Sequence, residues 1–281
     1  MEAENKEAAG RSVMEKANKG SSMLTFGGHL EVLRRMMFRV IGVAGAIAMV
    51  VFCMKDTTWR LLLAPSEWDF VTYCVVEDII GSIGFSDFHF EEYHVELIAT
   101  DLSSQFMTHI TTAIYLGLLG ASPYILYELF RFVSPALYEN ERRYSVKAVV
   151  VIYVLFLFGV LTSYYLLFPV SFRFLGTYSV SERVHSTITL DSYVTSFTTL
   201  TLLMGVVFQL PVVAFLLAKM GMITSALLSA YRKHAFLLIM VVAAVITPPD
   251  LMTLALVTVP LYLLYEVSIR VVRLAESKPE E

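Results

Sequence analysis

The residues of this chain that are best suited to bind a charged partner lie in a polar stretch at residues 130–143. Glu139 and Glu141 stand beside Arg142 and Arg143, and Pro135 cannot continue the helix that precedes them. Carboxylates in such a turn can form ion pairs with a partner. A solvated charge cluster that helps to fix membrane topology explains the same pattern, so the residues alone leave both interpretations open.

A second charged stretch, residues 28–35, reads Gly-His-Leu-Glu-Val-Leu-Arg-Arg and directly precedes an apolar run. At helical spacing, Leu30 and Leu33 share one face, while the charged side chains occupy the other. This pattern is typical of an amphipathic helix at a membrane surface, where arginines contact lipid phosphates.

Polar residues also occur within or between apolar runs at two further places. Gln209, in Phe-Gln-Leu-Pro, needs a hydrogen-bond partner because an unpaired amide is costly in lipid, so we expect it to face protein or a partner helix. In Thr247-Pro248-Pro249-Asp250, we expect a capping box, with Thr247 as the N-cap of the following helix and Asp250 at its third position.

Signatures of covalent catalysis are absent from the sequence. It contains no His-Glu-x-x-His, no Gly-x-Ser-x-Gly, no Gly-x-Gly-Asp and no P-loop pattern, and its two cysteines have no metal-site spacing. We therefore predict that the chain is not an enzyme and holds no metal.

The elements that must position these residues are membrane-spanning helices. Of the 281 residues, 57% are hydrophobic and only 16% are charged, which is typical of a polytopic membrane protein. Four apolar runs reach the length that a span needs, and two shorter runs follow: 36–54, 106–130, 148–168, 194–218, 235–246 and 251–265. The last two are short spans or a re-entrant hairpin. We predict an all-α integral membrane protein with six spans, of which the fifth and sixth are short.

Intramembrane prolines and the distribution of charge refine this prediction. Pro123, Pro169, Pro211 and Pro260 predict kinks. With the N-terminus inside, 17 of the 21 Lys and Arg residues lie on the cytoplasmic side, so both termini are predicted to be cytoplasmic.

The remaining segments are polar. Residues 1–22 are predicted to form a disordered cytoplasmic tail, residues 23–274 the membrane domain and residues 275–281 a second tail. Within the membrane domain, residues 55–105 carry ten acidic and two basic residues with interleaved aromatics, which predicts a folded periplasmic cap rather than a loose loop.

The motifs described above occur together in one order. They are HLEVLRR before the first run, FVSPALYENERR after the second, FPVSFRF after the third, FQLP in the fourth, TPPD before the sixth and LYE near its end. In this order they resemble TatC, the large subunit of the twin-arginine protein translocase. The resemblance covers about residues 24–274.

The resemblance implies a receptor for signal peptides that carry paired arginines. It implies export of folded proteins across the bacterial cytoplasmic (inner) membrane, driven by the proton-motive force. Small single-span subunits of the TatA/TatB type are the implied partners in an oligomeric complex, and no cofactor is implied.

The resemblance also assigns signal-peptide-binding residues. Glu141 matches the family's arginine-binding glutamate, and a planar guanidinium suits a carboxylate through charged hydrogen bonds. The family's second glutamate falls at Val32 here, and the neighbouring Glu31 is the candidate substitute. Further matches to positions that shape the same cytoplasmic groove are Arg34, Phe132, Pro135 and Tyr138.

Partner-subunit contacts are implied at Gln209, Thr247 and Asp250. Gln209 replaces a frequent family glutamate, so polarity remains there without charge. Two other functions are considered from the sequence: a proton- or ion-coupled small-solute transporter, and a passive membrane scaffold. The transporter predicts acidic residues that face each other at the midplane, whereas binding of a twin-arginine peptide would separate the receptor from the scaffold.

Overall fold

The computed structural model of the chain describes residues 26–82, 96–133, 145–179, 181, 187–247 and 250–276. Among these described residues, those up to Gly42 belong to one compact unit and those from Val43 onward belong to another. The predicted tail at 1–22 lies outside the described residues. The elements in chain order are α1 (Phe26–Cys53), α2 (Lys55–Leu63), a 3₁₀ turn (Ala64–Ser66), α3 (Val71–Ser82), β1 (Leu97–Ile98), α4 (Ser104–Gly120), α5 (Ser122–Val133), α6 (Ser145–Thr162), a π-helical turn (Ser163–Leu167), α7 (Phe168–Thr177), β2 (Ile188–Thr189), α8 (Leu190–Val207), α9 (Leu210–Lys219), α10 (Ser225–Ala230), α11 (Arg232–Ile246) and α12 (Leu251–Glu276).

Helices dominate the described residues, as the apolar runs predict. In the described part of the chain, four segments are long and apolar enough to cross a membrane: Leu30–Cys53, Ala148–Thr177, Leu190–Lys219 and Leu251–Glu276. The pair α4 and α5 would form a fifth, bent by 54°. The amphipathic stretch at 28–35 belongs to α1 without a break, because nothing in it interrupts the helical hydrogen bonds.

Three of the four intramembrane prolines lie where one helical segment gives way to the next. Pro123 follows the bend between α4 and α5, Pro169 follows the π-helical turn, and Pro211 follows the break between α8 and α9. At the start of a segment a proline removes no helical hydrogen bond, which explains its place. Pro260 differs, because α12 continues through it.

The lengths of the last two helices correct the prediction that both are short. The helix α11 has 15 residues, or about 22 Å, which is less than the hydrocarbon thickness of about 30 Å. The helix α12 has 26 residues, or about 39 Å, because it continues beyond Tyr265 through charged residues to Glu276. The apolar run therefore underestimates the length of α12. Of these two helices only α11 is shorter than the hydrocarbon layer, so we expect the bilayer to become thinner beside α11 alone.

The core of the larger unit lies between α7, α8, α11 and α12. Phe168 meets Tyr193 and Phe197 edge to face, with ring centroids 5.1 and 5.0 Å apart. Such contacts add to the burial of the rings and fix their orientation. Met204, Ala243 and Val257 are fully buried in the same cluster.

Glycines allow α6 and α8 to approach closely. A Cβ atom on Gly159 would lie 2.7 Å from the carbonyl oxygen of Met204, and one on Gly205 would lie 2.7 Å from the ring of Phe156. Small residues at helix contacts are typical of membrane proteins, in which packing rather than water exclusion drives association.

The acidic segment begins with α2, which is joined to the spans by tyrosine hydroxyls. Tyr164 donates to the carbonyl oxygen of Leu61 at 2.9 Å, and the buried Tyr193 donates to that of Leu62 at 2.8 Å. Both carbonyls belong to the last turn of α2, where no intrahelical donor remains. Further along, β1 and β2 pair in parallel over two residues each.

Candidate functional site

In the smaller unit, the candidate residues Glu31 and Arg34 are exposed on α1. The carboxylate of Glu31 lies 3.2 Å from the guanidinium of Arg35, one helical turn away, with side-chain exposures of 62% and 67%. A solvated pair at this spacing contributes only about 0.3–0.5 kcal/mol. Glu31 is therefore held weakly and can exchange Arg35 for another guanidinium.

In the larger unit, the candidate residue Phe132 lies half-buried near the end of α5. Pro135, Tyr138 and Glu141 lie outside the described residues. One turn before Phe132, Glu128 is 6% exposed, and its carboxylate accepts a hydrogen bond of 3.0 Å from the hydroxyl of Tyr124. Glu128 is not among the candidate residues that the sequence motifs indicate. Its position four residues after a tyrosine is the signal that could have suggested this contact.

The ends of α11 and α12 that carry Arg232 and Arg270 are called the basic end below. Here Arg232 makes a bidentate contact with Glu266, with distances of 2.7 and 3.0 Å from its two nitrogens to the two carboxylate oxygens. The hydroxyl of Tyr262 also donates to Glu266, at 3.3 Å. The LYE motif thus places a carboxylate that joins α12 to the start of α11.

A second contact attaches α10 to the end of α12. The carboxylate of Glu276 accepts hydrogen bonds from both the backbone N–H of Ser225, at 2.8 Å, and its hydroxyl. Nearby, the Tyr265 hydroxyl donates to the carbonyl oxygen of Leu228 at 2.7 Å. The connection between the fourth and fifth spans is therefore fastened to the part of α12 that lies beyond the apolar run.

Gln209 lies at the break between α8 and α9 and contacts protein, as its polarity in an apolar run predicts. Its Nε2 donates to the carbonyl oxygen of Ile152 at 3.2 Å, which connects the fourth span to the third. Its Oε1 is buried and has no hydrogen-bond partner among the described residues. The amide can therefore accept one further donor if a polar group approaches.

The prediction for the Thr247–Asp250 capping box is wrong in its assignment of roles. The Asp250 carboxylate accepts the backbone N–H of Thr253 at 2.7 Å, so Asp250 itself caps α12. The hydroxyl of Thr247 instead donates to the carbonyl oxygen of Ala243 at 2.9 Å and closes α11. Both residues can cap a helix, and a proline after Thr247 favours the extended backbone that it adopts.

We expect Asp250→Ala to lower the free energy of unfolding by about 1 kcal/mol, because the first turn of α12 loses its side-chain acceptor. Asp250→Asn should leave it nearly unchanged, since asparagine caps as well as aspartate. Thermal unfolding in detergent measures both. A loss with asparagine as large as that with alanine would contradict the cap and indicate a role for the charge.

Thr247 also lines a cavity of about 490 Å³ between α7, α8 and α11. Its walls combine aromatic side chains with hydroxyls, which come from Ser171, Ser192, Thr195, Ser196, Thr199 and Thr247. The Ser171 hydroxyl is buried without a partner among the described residues. The cavity lies at the end of the spans opposite the basic end, and it offers donors and acceptors within an apolar setting.

Comparison with known proteins gives one family. The family model "Sec-independent protein translocase protein (TatC)" matches residues 28–260. A TatC protein of Blattabacterium is 30% identical over 250 residues, which cover 88% of this chain and 94% of that protein. The TatCy protein of Bacillus subtilis is 37% identical over 191 residues, which cover 68% and 75%. A crystal structure of the twin-arginine translocase receptor TatC matches with a TM-score of 0.70 at 28% identity, covering 88% of this chain and 99% of that one.

Proposed function

This chain belongs to the TatC family of Sec-independent protein translocase proteins, and we propose that it is the signal-peptide receptor subunit of a twin-arginine translocase. In this role it recognises folded cargo in the membrane and supports its export with energy from the proton-motive force. The observation that carries the proposal is the extent of the match, since the family model spans residues 28–260 and the solved receptor aligns over 99% of its own length.

We further propose six spans in a bacterial inner membrane, with both termini in the cytoplasm. The concentration of 17 of 21 Lys and Arg residues on one side supports this orientation. The division into tails at 1–22 and 275–281 and a membrane domain at 23–274, with a periplasmic cap at 55–105, belongs to the same proposal. The count of six includes α11 as the fifth span, although its 15 residues extend by themselves only about 22 Å.

For signal-peptide recognition, we propose Glu141 as the chief arginine-binding residue and Glu31 as a second carboxylate. Arg34, Phe132, Pro135 and Tyr138 are proposed to shape the binding surface. Support comes from their positions in the family motifs and, for Glu31, from its exposure and weak pairing with Arg35.

Small single-span partner subunits are proposed to dock at Gln209, Thr247 and Asp250. The Oε1 of Gln209, which is buried and has no hydrogen-bond partner in the described part of the chain, supports a polar contact with a partner helix. The cavity beside Thr247 has both hydroxyl and apolar walls to receive side chains. Asp250 contributes by fixing the start of α12, since its carboxylate already accepts the N–H of Thr253.

The test of the function is photo-crosslinking of a twin-arginine signal peptide to membranes that contain the chain. The control is the same peptide with Lys-Lys in place of Arg-Arg, which keeps the charge but loses the bidentate geometry. We expect strong labelling with the first peptide and weak labelling with the second. Equal labelling by the two peptides would refute the receptor proposal and favour the alternative function, a solute transporter.

Glu31→Gln is expected to weaken binding of the Arg-Arg peptide by roughly tenfold, which corresponds to the loss of one charged hydrogen bond. Val32→Glu in the Glu31→Gln background should recover most of this loss, because it restores a carboxylate at the neighbouring family position. Titration of peptide labelling measures both variants. If neither substitution changes the titration, no second carboxylate operates in this stretch.

A further inference from the structure

The helix α3, in the acidic segment, has no part in the function proposed above. Its first turns are fastened to the third span. The hydroxyl of Tyr73 donates to the carbonyl oxygen of Pro169 at 2.9 Å, and the hydroxyl of Thr72 donates to that of Tyr165. Just before the helix, the ring of Phe70 stacks on that of Tyr165 with centroids 5.8 Å apart. The depth of Tyr165 in the membrane therefore sets the depth of this part of α3.

Tyr165 lies close to one boundary of the hydrocarbon. The apolar part of the third span begins at Ala148, directly after Lys147, and Tyr165 follows Ala148 by 17 residues. At about 1.5 Å per residue this distance is about 26 Å, in a hydrocarbon layer of about 30 Å. The start of α3 thus meets the third span where acyl chains give way to headgroups, whichever way the chain is oriented.

The side of α3 that faces away from this contact is apolar at the same level. Val71 and Val75, one turn apart, are 58% and 48% exposed, and Cys74 between them is exposed as well. Trp68, three residues before Val71, is 44% exposed. Three residues beyond Val75, Asp78 is exposed, so a charged side chain follows the apolar ones on this side of the helix.

We propose that residues 68–75 lie in the bilayer interface, with Val71, Cys74 and Val75 against acyl chains and Trp68 at the level of the headgroups. Lipid is the occupant because this surface continues that of the third span, where Tyr165 and Leu166 are 45% and 43% exposed at the same depth. Tryptophan and tyrosine are enriched at this level of membrane proteins. The acidic segment thus serves as a lateral anchor that braces the third span.

The chain offers a direct probe, because it has only two tryptophans. In the Trp59→Phe variant, Trp68 is the remaining emitter. The full chain is reconstituted into phosphatidylcholine vesicles with bromine placed either near the headgroup or near the end of the acyl chain. We expect strong loss of Trp68 emission with the shallow bromine, weaker loss with the deep bromine and little loss with aqueous iodide.

Two results would overturn the proposal. Strong quenching by iodide without quenching by either lipid would place the segment in water. Shielding of Trp68 from both iodide and bromine would mean that another protein surface, such as a second copy of the chain, covers residues 68–75.

A second probe uses the two cysteines. Cys53→Ser leaves Cys74 for an environment-sensitive fluorophore, and the matched control moves the label to Asp78→Cys with both native cysteines replaced by serine. Blue-shifted emission at Cys74 and water-like emission at position 78 are expected, whereas water-like emission at both would refute the anchor. The inference depends on the chain being in a bilayer and not on peptide recognition, so labelling with the twin-arginine peptide can fail while this test succeeds.

Discussion

Replacing Glu141 by alanine is expected to weaken binding of a twin-arginine signal peptide by roughly 10- to 100-fold. A hydrogen bond to a charged group contributes about 1.5 to 3 kcal/mol, and every 1.4 kcal/mol is tenfold in affinity. The Lys-Lys peptide should lose much less, because an ammonium is a point charge that does not use the paired geometry of a carboxylate. Titration of peptide crosslinking to wild-type and variant membranes measures both changes.

The matched control is Glu139→Ala, which removes the same charge two residues earlier. It should leave the preference for paired arginines intact, and so should Glu141→Asp, which keeps the carboxylate. If Glu139→Ala weakens both peptides as much as Glu141→Ala does, the loop acts through its net charge. The assignment of Glu141 as the arginine-binding residue would then be wrong.

Apolar runs predicted the long apolar helices well, because lipid imposes one requirement on every residue of such a helix. They did not predict where the backbone breaks. The predicted apolar runs 106–130 and 194–218 extend across the bend at Ala121 and the break near Phe208, because a single polar residue at each place does not end a run. The prolines indicated that breaks occur, but not every proline ends a helical segment, since α12 continues through Pro260.

The end of α12 could not be predicted from local sequence for a different reason. Beyond Tyr265 four charged residues, Glu266, Arg270, Arg273 and Glu276, stand among the apolar ones. Two of these charged side chains contact distant parts of the chain. Glu266 contacts Arg232, and Glu276 contacts Ser225, which is 51 residues away. Similarly, Tyr193 donates to Leu62 across 131 residues. No periodicity in one segment indicates which distant carbonyl or carboxylate its side chains will reach.

The candidate site residues also differ in how far the sequence alone predicted their contacts. The cost of an unpaired amide in lipid predicted that Gln209 contacts protein. In the structure its Nε2 donates a hydrogen bond to the carbonyl oxygen of Ile152. The choice between Thr247 and Asp250 as the N-cap did not follow, because both residues suit that role. For Glu141 the motif is the basis of the assignment, and the substitutions described above are the way to test it.

Gly159→Ala is expected to lower the free energy of unfolding by about 1–3 kcal/mol, the usual cost of overpacking a close contact. The new Cβ would lie 2.7 Å from the Met204 carbonyl oxygen and 2.8 Å from the Phe208 ring, so α6 and α8 must separate. The control is Gly45→Ala in α1, where nothing lies within 4 Å, and where alanine improves helix propensity.

Thermal unfolding of the purified chain in detergent compares the two substitutions. Gly45→Ala should leave the midpoint unchanged or raise it, and Gly159→Ala should lower it. Gly205→Ala should have an intermediate effect, because its new methyl group would meet the Phe156 ring, and a side chain can move more easily than a backbone carbonyl. Equal midpoints for all three variants would mean that α6 and α8 are farther apart than in this structure. The hydrogen bond from Gln209 to Ile152 needs the same short distance between the two helices, so that result would contradict it as well.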